Sequence, residues 1–254
     1  MSGLTTGGTP AILSVHGVGK RFGAFVALND VSVSFPAGLL TAIIGPNGAG
    51  KSTFFNVISG AFAPSSGRIT FEGRDVTGLA QHEFARIGIA KSFQITNVFR
   101  QLSAFENVRV AAQMRESRFE LLKPRSALRG LAEATEALLL RVGLHAVAGK
   151  RAADLAHGQQ RALEIAMALA AEPRLLLMDE PTAGMSPEET VTMMGLITRI
   201  AQERTVVLVE HKMKLVMGIC QRLVVLHHGE LLAEGTPDEI RHNADVKRVY
   251  LGNT

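Results

Sequence analysis

The sequence predicts an α/β protein that has a parallel sheet, an antiparallel β region at its edge and a helical subdomain. Short apolar runs rich in β-branched residues alternate with segments of helical spacing, as expected for a sheet packed against helices. The chain has 254 residues, of which 46% are hydrophobic. It is therefore long enough to bury a substantial core.

The predicted strands fall into two groups. The runs ILSVHGV, VSVSFPAG and RITFEG indicate the antiparallel region. Four later runs are LLTAIIG, RLLLMDE, TVVLVEH and RLVVLHHG. These four do not alternate between apolar and polar residues, which is typical of parallel strands buried on both faces. We therefore expect them to form the central sheet.

Strand signals disappear between about Ser103 and Arg151. The stretches SAFENVRVAAQMRE and ALRGLAEATEALLLRVGL in this part have helical spacing. We expect one domain, in which residues 103–151 form a helical subdomain inserted between the core segments 1–102 and 152–254.

The C-terminal part contains a helix start in EGTPDEIRHN. Thr236 is the predicted N-cap, Pro237 is the first helical residue, and Glu239 completes a capping box. A short helix over DVKRVYLG is predicted to follow.

A phosphate loop is the strongest functional signal. GPNGAGKS, residues 45–52, matches G-x-x-x-x-G-K-[ST] between a predicted strand and a predicted helix. Its glycines let backbone N–H groups converge on phosphate oxygens, Lys51 adds a positive charge, and Ser52 can ligate magnesium. The predicted nucleotide-binding residues here are Gly45, Asn47, Gly48, Ala49, Gly50, Lys51, Ser52 and Thr53. They predict a P-loop NTPase core, since a dinucleotide fold has a different glycine spacing.

Two further strands end in polar residues suited to hydrolysis. In LLLMDE, Asp179 can hold magnesium directly or through water, and Glu180 can polarise an attacking water. The alternative is that both carboxylates only cap the following turn. In VVLVEH, His211 is a candidate contact to the γ-phosphate, although a lone histidine is more often structural.

A second anion site is indicated by DLAHGQQRALEIA, where Gly158 is predicted to open a helix. The first backbone N–H groups of a helix are unpaired and lie at the positive end of its dipole, so they attract anions. Two phosphate-seeking loops in one chain require an explanation.

The ordered motifs GPNGAGKST, SFQ, LAHGQQR, LLLMDEPTAGMSP and VLVEH supply it. This set resembles the ATP-binding cassette of ABC transporters over nearly the whole chain. The segment from EHKMKLVMGIC to VKRVYLG is similar to the ATPase subunits of branched-chain amino acid importers. Cassettes that serve urea or aromatic acids look much alike here, so the solute stays open.

The resemblance implies ATP and Mg²⁺ as cofactors, with ATP hydrolysis as the activity. Phe22 would stack on adenine, unless it is a core aromatic. Gln94, in SFQ, would reach magnesium and the attacking water. Two cassettes would pack head to tail, so that one subunit covers the ATP held by the other. The residues implied to cover the partner's ATP are Ala156, His157, Gly158 and Gln159.

The chain departs from the family pattern at three positions. Ala156 stands where a serine would donate a hydrogen bond to the γ-phosphate, which we expect to weaken closure because one neutral hydrogen bond contributes about 0.5–1.5 kcal/mol. Ser186 and Lys212 stand where aspartates are usual, at positions concerned with communication across the dimer. No catalytic group is removed.

Several classes are excluded or disfavoured by composition. The net charge is +4, but the basic residues are dispersed, tryptophan is missing and there is one tyrosine, so nucleic acid is not an expected partner.

The only cysteine, Cys220, is expected to be a buried core residue. No run of 18 apolar residues and no secretion signal is found, so any membrane role requires a partner.

The expected partners are integral-membrane permease subunits, a second ATPase subunit with a heterodimer favoured, and indirectly a solute-binding protein. The expected location is the cytoplasmic face of the membrane, as a peripheral subunit. Two other classes stay open, which are an ABC ATPase of DNA repair or translation and a nucleotide-dependent regulatory module without useful hydrolysis.

Overall fold

Two sheets are formed by the described part of the chain, which covers residues 10–92, 98–113 and 125–251 of a computed structural model. Its strands are β1 (Ala11–Phe22), β2 (Phe25–Pro36), β3 (Leu40–Ile44), β4 (Ser66–Phe71), β5 (Arg74–Asp75), β6 (Ile89–Ser92), β7 (Leu175–Asp179), β8 (Thr205–Val209), β9 (Arg222–His227) and β10 (Glu230–Gly235). The first sheet has the order β2-β1-β4-β5 with antiparallel pairs, and it confirms the predicted edge region.

The second sheet has the order β10-β9-β3-β8-β7-β6. Its pairs are parallel from β9 to β6, and β10 adds an antiparallel edge. The four strands predicted as parallel are all present. Neither β6 nor β10 was expected from the sequence.

The central sheet is buried on both faces, which explains why its strands read as continuous apolar runs. In β3, Ala42 and Ile44 pack into a core shared with α-helices, whereas Ile43 packs into a second core shared with the antiparallel sheet. Strand β8 divides in the same way, with Leu208 in the first core and Val207 in the second. Because successive side chains point to opposite faces of the sheet, each of these strands contributes apolar residues to both cores.

The helices are α1 (Lys51–Ile58), α2 (Gln81–Arg86), α3 (Ala104–Gln113), α4 (Arg125–Arg141), α5 (His157–Leu169), α6 (Pro187–Ala201), α7 (Met213–Ile219), α8 (Pro237–His242) and α9 (Ala244–Leu251). The predicted start of α8 is confirmed. Thr236 is its N-cap, and its hydroxyl accepts a hydrogen bond from the Glu239 N–H at 3.3 Å. Helix α5 begins at His157, one residue earlier than the sequence predicted.

Helices α3 and α4 lie between Ser103 and Arg151 in the sequence, and these two residues are neighbours in the structure. Ser103 and Arg151 form an antiparallel bridge. The Ala104 N–H donates to the Lys150 carbonyl and the Ala152 N–H donates to the Leu102 carbonyl, both at 2.9 Å. The chain thus leaves and re-enters the rest of the molecule at one place.

Within the described residues, no helix combines the length and the apolar character that crossing a bilayer requires. Cys220 is buried as predicted, and burial raises the pKa of its thiol to about 12.

Candidate active site

The phosphate loop connects β3 to α1, and two of its positions accept only glycine. Gly45 has φ +155°, and a Cβ there would lie 2.2 Å from the Leu226 carbonyl oxygen. Gly50 has φ +91°, and a Cβ there would lie 2.9 Å from the Ala27 carbonyl oxygen. The close approach of these neighbouring backbones gives the loop its shape.

Lys51 is 5% exposed and folds back on this loop. Its Nζ donates hydrogen bonds to the carbonyls of Gly45 and Pro46, both at 2.8 Å. Burial lowers the pKa of the Lys51 ammonium, and the nearby charge of Glu180 opposes this shift. Ser52 follows on the exposed side of the first turn of α1.

The parallel pairing brings three strand ends together at one edge of the sheet. Ile43 of β3 is paired with Val209 of β8, and Val209 is paired with Asp179 of β7. The segments that follow these residues carry the phosphate loop, His211 and Glu180. These motifs are far apart in the sequence. They are neighbours in the structure because β3, β8 and β7 are adjacent strands of the sheet.

Asp179 is 6% exposed, and none of the described residues donates a hydrogen bond to its Oδ1. Burial raises the pKa of its carboxyl, and the charge of Lys91 opposes this shift. A buried carboxylate oxygen without a donor is suited to a cation. Among the described residues, no group of three or more His, Cys, Asp or Glu side chains is arranged to hold a metal ion.

Glu180 has a left-handed backbone, with φ +46°. Its N–H still donates to the Val209 carbonyl at 3.0 Å, and its Oε1 lies 2.5 Å from Nε2 of His211. Non-glycine residues rarely adopt this φ, and such strained positions are often found at functional sites. The turn directs the Glu180 side chain toward His211.

Phe22 lies at the tip of the β1–β2 hairpin and is 45% exposed, so it is not a core aromatic. Its ring meets Phe62 edge to face at 5.6 Å, and Nζ of Lys20 lies 5.0 Å from its centroid. The same hairpin reaches the phosphate loop, because Ala27 of β2 lies against Gly50. The exposed face of Phe22 is therefore available to a flat ring.

The start of α5 is held by residues of the same subunit. Ala156 is the N-cap, and its N–H donates to Oε1 of Gln159 at 3.1 Å. Nε2 of His157 lies 3.1 Å from the Ala183 carbonyl. The Gly158 N–H donates to Oε1 of Glu189 at 3.1 Å. An internal carboxylate therefore occupies one donor of the predicted anion site.

The two other departures also have structural partners. Ser186 is the N-cap of α6, and its hydroxyl accepts from the Glu189 N–H at 3.2 Å. Nζ of Lys212 lies 3.5 Å from the Thr182 carbonyl, in the loop after Glu180. Both residues thus contribute to the loops around the site.

One predicted site residue, Gln94, lies outside the described residues. Sequence reasoning missed Glu210, a buried carboxylate that contacts Thr182 and His211. The signal was present, because Glu210 directly follows the apolar strand β8. It also missed Lys91, whose Nζ donates to Oδ1 of Asn56 at 2.7 Å.

Comparisons with known proteins decide the family. Residues 28–183 match the model of the ABC transporter family. The chain belongs to the ABC transporter family. Residues 230–254 of this ABC chain also match the branched-chain amino acid ATP-binding cassette transporter model.

Relatives of this ABC chain match along almost their whole length. It is 42% identical to the high-affinity branched-chain amino acid transport ATP-binding protein LivG of Salmonella typhimurium, over 95% of this chain and 98% of that protein. It is 41% identical to BraF of Pseudomonas aeruginosa, which carries the same description, over the same shares. The lipopolysaccharide export ATP-binding protein LptB of Acidithiobacillus ferridurans is 36% identical, over 95% of this chain and 97% of that protein.

Solved structures agree with this assignment. A nucleotide-free ATP-binding cassette from an ABC transporter superposes with a TM-score of 0.82 at 28% identity, covering 95% of this chain and 99% of that one. The ADP conformation of an ABC transporter cassette gives 0.83 at 28% identity, covering 96% and 100%. The predicted P-loop fold is confirmed, and this ABC chain is a nucleotide-binding transport ATPase.

Proposed function

We propose that this ABC ATPase drives the import of branched-chain amino acids through a separate permease. The supporting observation is its likeness to LivG and BraF over nearly the whole chain, together with the C-terminal match at residues 230–254. If the solute is instead urea or an aromatic acid, the proposed ATPase chemistry is the same.

Hydrolysis is assigned to residues at the shared strand edge. The phosphate loop and Lys51 hold the phosphates, Glu180 polarises the attacking water, and His211 contacts the γ-phosphate. The 2.5 Å contact between Glu180 and His211 supports their action as a pair. Phe22 stacks on adenine through its exposed face.

Magnesium is assigned to Ser52 and Asp179, with Gln94 as a further ligand from outside the described residues. The donor-free Oδ1 of Asp179 is the observation that supports this assignment. Bound magnesium would neutralise charge on the β- and γ-phosphates. The protein side chains fix its position and orient the water.

Assembly follows from the second anion site. The residues Ala156, His157, Gly158 and Gln159 of one subunit cover the ATP of a second ATPase subunit, and a heterodimer is favoured. Residues 103–151 form the subdomain that docks on the permease at the cytoplasmic face of the membrane, with a solute-binding protein acting indirectly. The meeting of Ser103 and Arg151 supports this boundary.

The catalytic assignment is tested with Glu180→Gln in the purified chain. Glutamine keeps the size of the side chain but cannot polarise water as a carboxylate does, so we expect turnover to fall at least about 100-fold while ATP still binds. Steady-state phosphate release and equilibrium ATP binding measure the two quantities. Wild-type turnover in this variant would refute the role of Glu180.

The same variant also addresses assembly, because slow hydrolysis preserves a closed pair. Light scattering during size exclusion, with and without magnesium-ATP, reports the mass. An ATP-dependent dimer means that the chain pairs with itself. A persistent monomer with ATP bound means that a different ATPase subunit or the permease is required.

The solute is tested in cells whose own copy of the chain carries Glu180→Gln. We expect uptake of radiolabelled leucine, isoleucine and valine to fall, because import would lose its source of energy, while uptake of urea and benzoate stays unchanged. Retained leucine uptake together with lost urea or benzoate uptake would reassign the solute.

A further inference from the structure

Glu210 is a buried carboxylate that the roles proposed above do not use. It lies between β8 and His211 and is 3% exposed. A carboxylate removed from water destabilises a fold unless hydrogen-bond donors satisfy its oxygens. Its partners therefore indicate what it holds in place.

Three donors face this carboxylate. The backbone N–H and the hydroxyl of Thr182 donate to Oε1 at 3.1 and 2.6 Å. The backbone N–H of His211 donates to Oε2 at 3.2 Å. One side chain thus joins the loop that follows Glu180 to the backbone of His211.

The strand ladder does not position these loops by itself. The pairing of β7 with β8 ends at Asp179 and Val209. Beyond it, the Glu180 N–H donates to the Val209 carbonyl at 3.0 Å, and the Glu210 N–H donates to the Ile43 carbonyl at 3.4 Å. The side-chain bonds of Glu210 extend this connection past the end of the sheet.

These contacts form a closed ring of residues that includes the hydrolytic pair, Glu180 and His211. Oε1 of Glu180 contacts Nε2 of His211 at one side of the ring. At the other side, Glu210 holds Thr182, which follows Glu180 by two residues, and the His211 backbone. The two loops are therefore held at two separate points.

We infer that Glu210 is a positioning residue for hydrolysis, whose carboxylate holds the His211 backbone to Thr182 and so keeps the His211 imidazole in contact with Glu180. The inference rests on the roles proposed for Glu180 and His211. It requires an effect on kcat without a matching effect on ATP affinity, because Lys51 and the phosphate loop are held by their own hydrogen bonds.

The test uses Glu210→Gln and a matched pair at Thr182 in the purified full chain. Glutamine keeps the volume of Glu210 but replaces one acceptor with a donor that faces another donor. Thr182→Val removes the hydroxyl, and Thr182→Ser retains it. Because small misplacements of catalytic groups slow turnover strongly, we expect kcat to fall about tenfold in Glu210→Gln and about threefold in Thr182→Val. Thr182→Ser should stay near wild type, and the ATP dissociation constant should change less than about twofold in all three.

Coupling between the two residues is measured with the double variant Glu210→Gln/Thr182→Val. Independent effects would multiply to about thirtyfold, whereas residues that act through one hydrogen bond are not additive. We expect the double variant to stay near the tenfold loss of Glu210→Gln. The exposed Glu133→Gln on α4 is the control for glutamate replacement in general.

Each outcome has a distinct meaning. Wild-type turnover in Glu180→Gln and His211→Ala would overturn the proposed site roles. If Glu180→Gln and His211→Ala are impaired but Glu210→Gln and Thr182→Val have the wild-type kcat, only the positioning role of Glu210 is overturned. A parallel loss of kcat, ATP affinity and folded fraction would also overturn it, because Glu210 would then be only structural. If Glu210→Gln does not fold, the Thr182→Val and Thr182→Ser pair decides.

Discussion

Asp179 and Glu180 are neighbours in sequence but differ in environment and backbone. Asp179 is 6% exposed and ends a regular strand, whereas Glu180 turns into the left-handed region at φ +46° and is partly accessible. The apolar run before the two carboxylates predicted a polar strand end. It could not predict the left-handed turn, because backbone strain depends on neighbours such as Val209 that are distant in sequence.

This strain leads to a stability prediction for Glu180→Gly and Glu180→Ala. A non-glycine residue in the left-handed region costs about 1–3 kcal/mol, and the added entropy of unfolded glycine offsets about 0.4–1 kcal/mol. We therefore expect Glu180→Gly to have a free energy of unfolding about 1 kcal/mol higher than that of Glu180→Ala. Both variants should lose hydrolysis.

Urea unfolding of the two variants, in the absence of nucleotide, measures this difference. Alanine is the matched control, since it also removes the carboxylate but retains the backbone strain. A glycine variant equal to or less stable than the alanine variant would contradict a strained backbone at this position.

Most site residues could be predicted because each belongs to a short local motif. The contacts of Glu210 could not be predicted, since Thr182 lies 28 positions away and meets it only through the pairing of β7 and β8. The pattern of apolar residues identifies those strands but does not determine which strands are neighbours.

Helix α5 illustrates what a motif leaves undetermined at the scale of one element. Its start was predicted at Gly158, but the extended backbone of Ala156 makes that residue the N-cap, so the helix begins at His157. The carboxylate of Glu189 from α6 accepts from the Gly158 N–H. Hydrogen bonds from the backbone of Ser186, and then of Gly158, lower the pKa of this carboxyl.

Glu189 is therefore expected to compete with a partner's γ-phosphate for the same N–H group. Glu189→Gln keeps an acceptor but removes the charge, which weakens the competing hydrogen bond and the repulsion between two anions. We expect the ATP concentration for half-maximal closure to fall about threefold. Closure is measured in the Glu180→Gln background, with the ATPase partner present if the chain does not pair with itself.

The neighbouring Glu188→Gln is the control, because its side chain accepts from the Ser186 hydroxyl and not from Gly158. An unchanged or higher ATP requirement in Glu189→Gln would mean that this carboxylate supports closure rather than opposing it.

Two strands that the sequence did not predict, β6 and β10, lie at the two edges of the larger sheet. β6 has four residues, including the polar Lys91, and β10 is only partly buried. Short or half-exposed edge strands lack the continuous apolar pattern of buried ones, so they resemble loops in sequence. Their partners in the sheet, rather than their own composition, hold them extended.

For the whole molecule, the sequence predicted the fold class, because a central sheet that separates two apolar cores has strands that are apolar on both faces. Charged groups add a dependence on pH that composition alone does not reveal. Hydrogen bonds are the largest cause of a lowered pKa at five carboxyl groups outside the core, which are Asp75, Glu106, Glu188, Glu189 and Glu239.

These lowered pKa values predict a loss of stability in acid. The folded state binds protons less readily than the unfolded state, so the contribution is fully present above the unfolded pKa, about 4.3 for Glu, and is lost as the pH falls through the folded pKa. Asp179, whose pKa is raised by burial, acts in the opposite direction. Because most of the shifts at described carboxyl groups are downward, we expect the melting temperature to decrease below about pH 4.5.

Glu239→Gln tests this prediction, because it removes one of the five carboxyl groups, namely the one at the cap of α8. We expect a smaller difference between the melting temperatures at pH 7 and pH 3.5 than in the wild type, measured by circular dichroism. Glu133→Gln, on the exposed face of α4, should behave as the wild type does. An equal acid loss in Glu239→Gln would contradict the contribution of this cap.

The bridge between Ser103 and Arg151 also bears on how such chains can diversify. A segment whose ends lie side by side can be replaced by one of another length or sequence without moving the backbone on either side. Recombination could thus exchange residues 104–150 between related ATPases as one module. A hybrid of this kind would keep its own phosphate loop and strand edge, while the exchanged surface came from a different lineage.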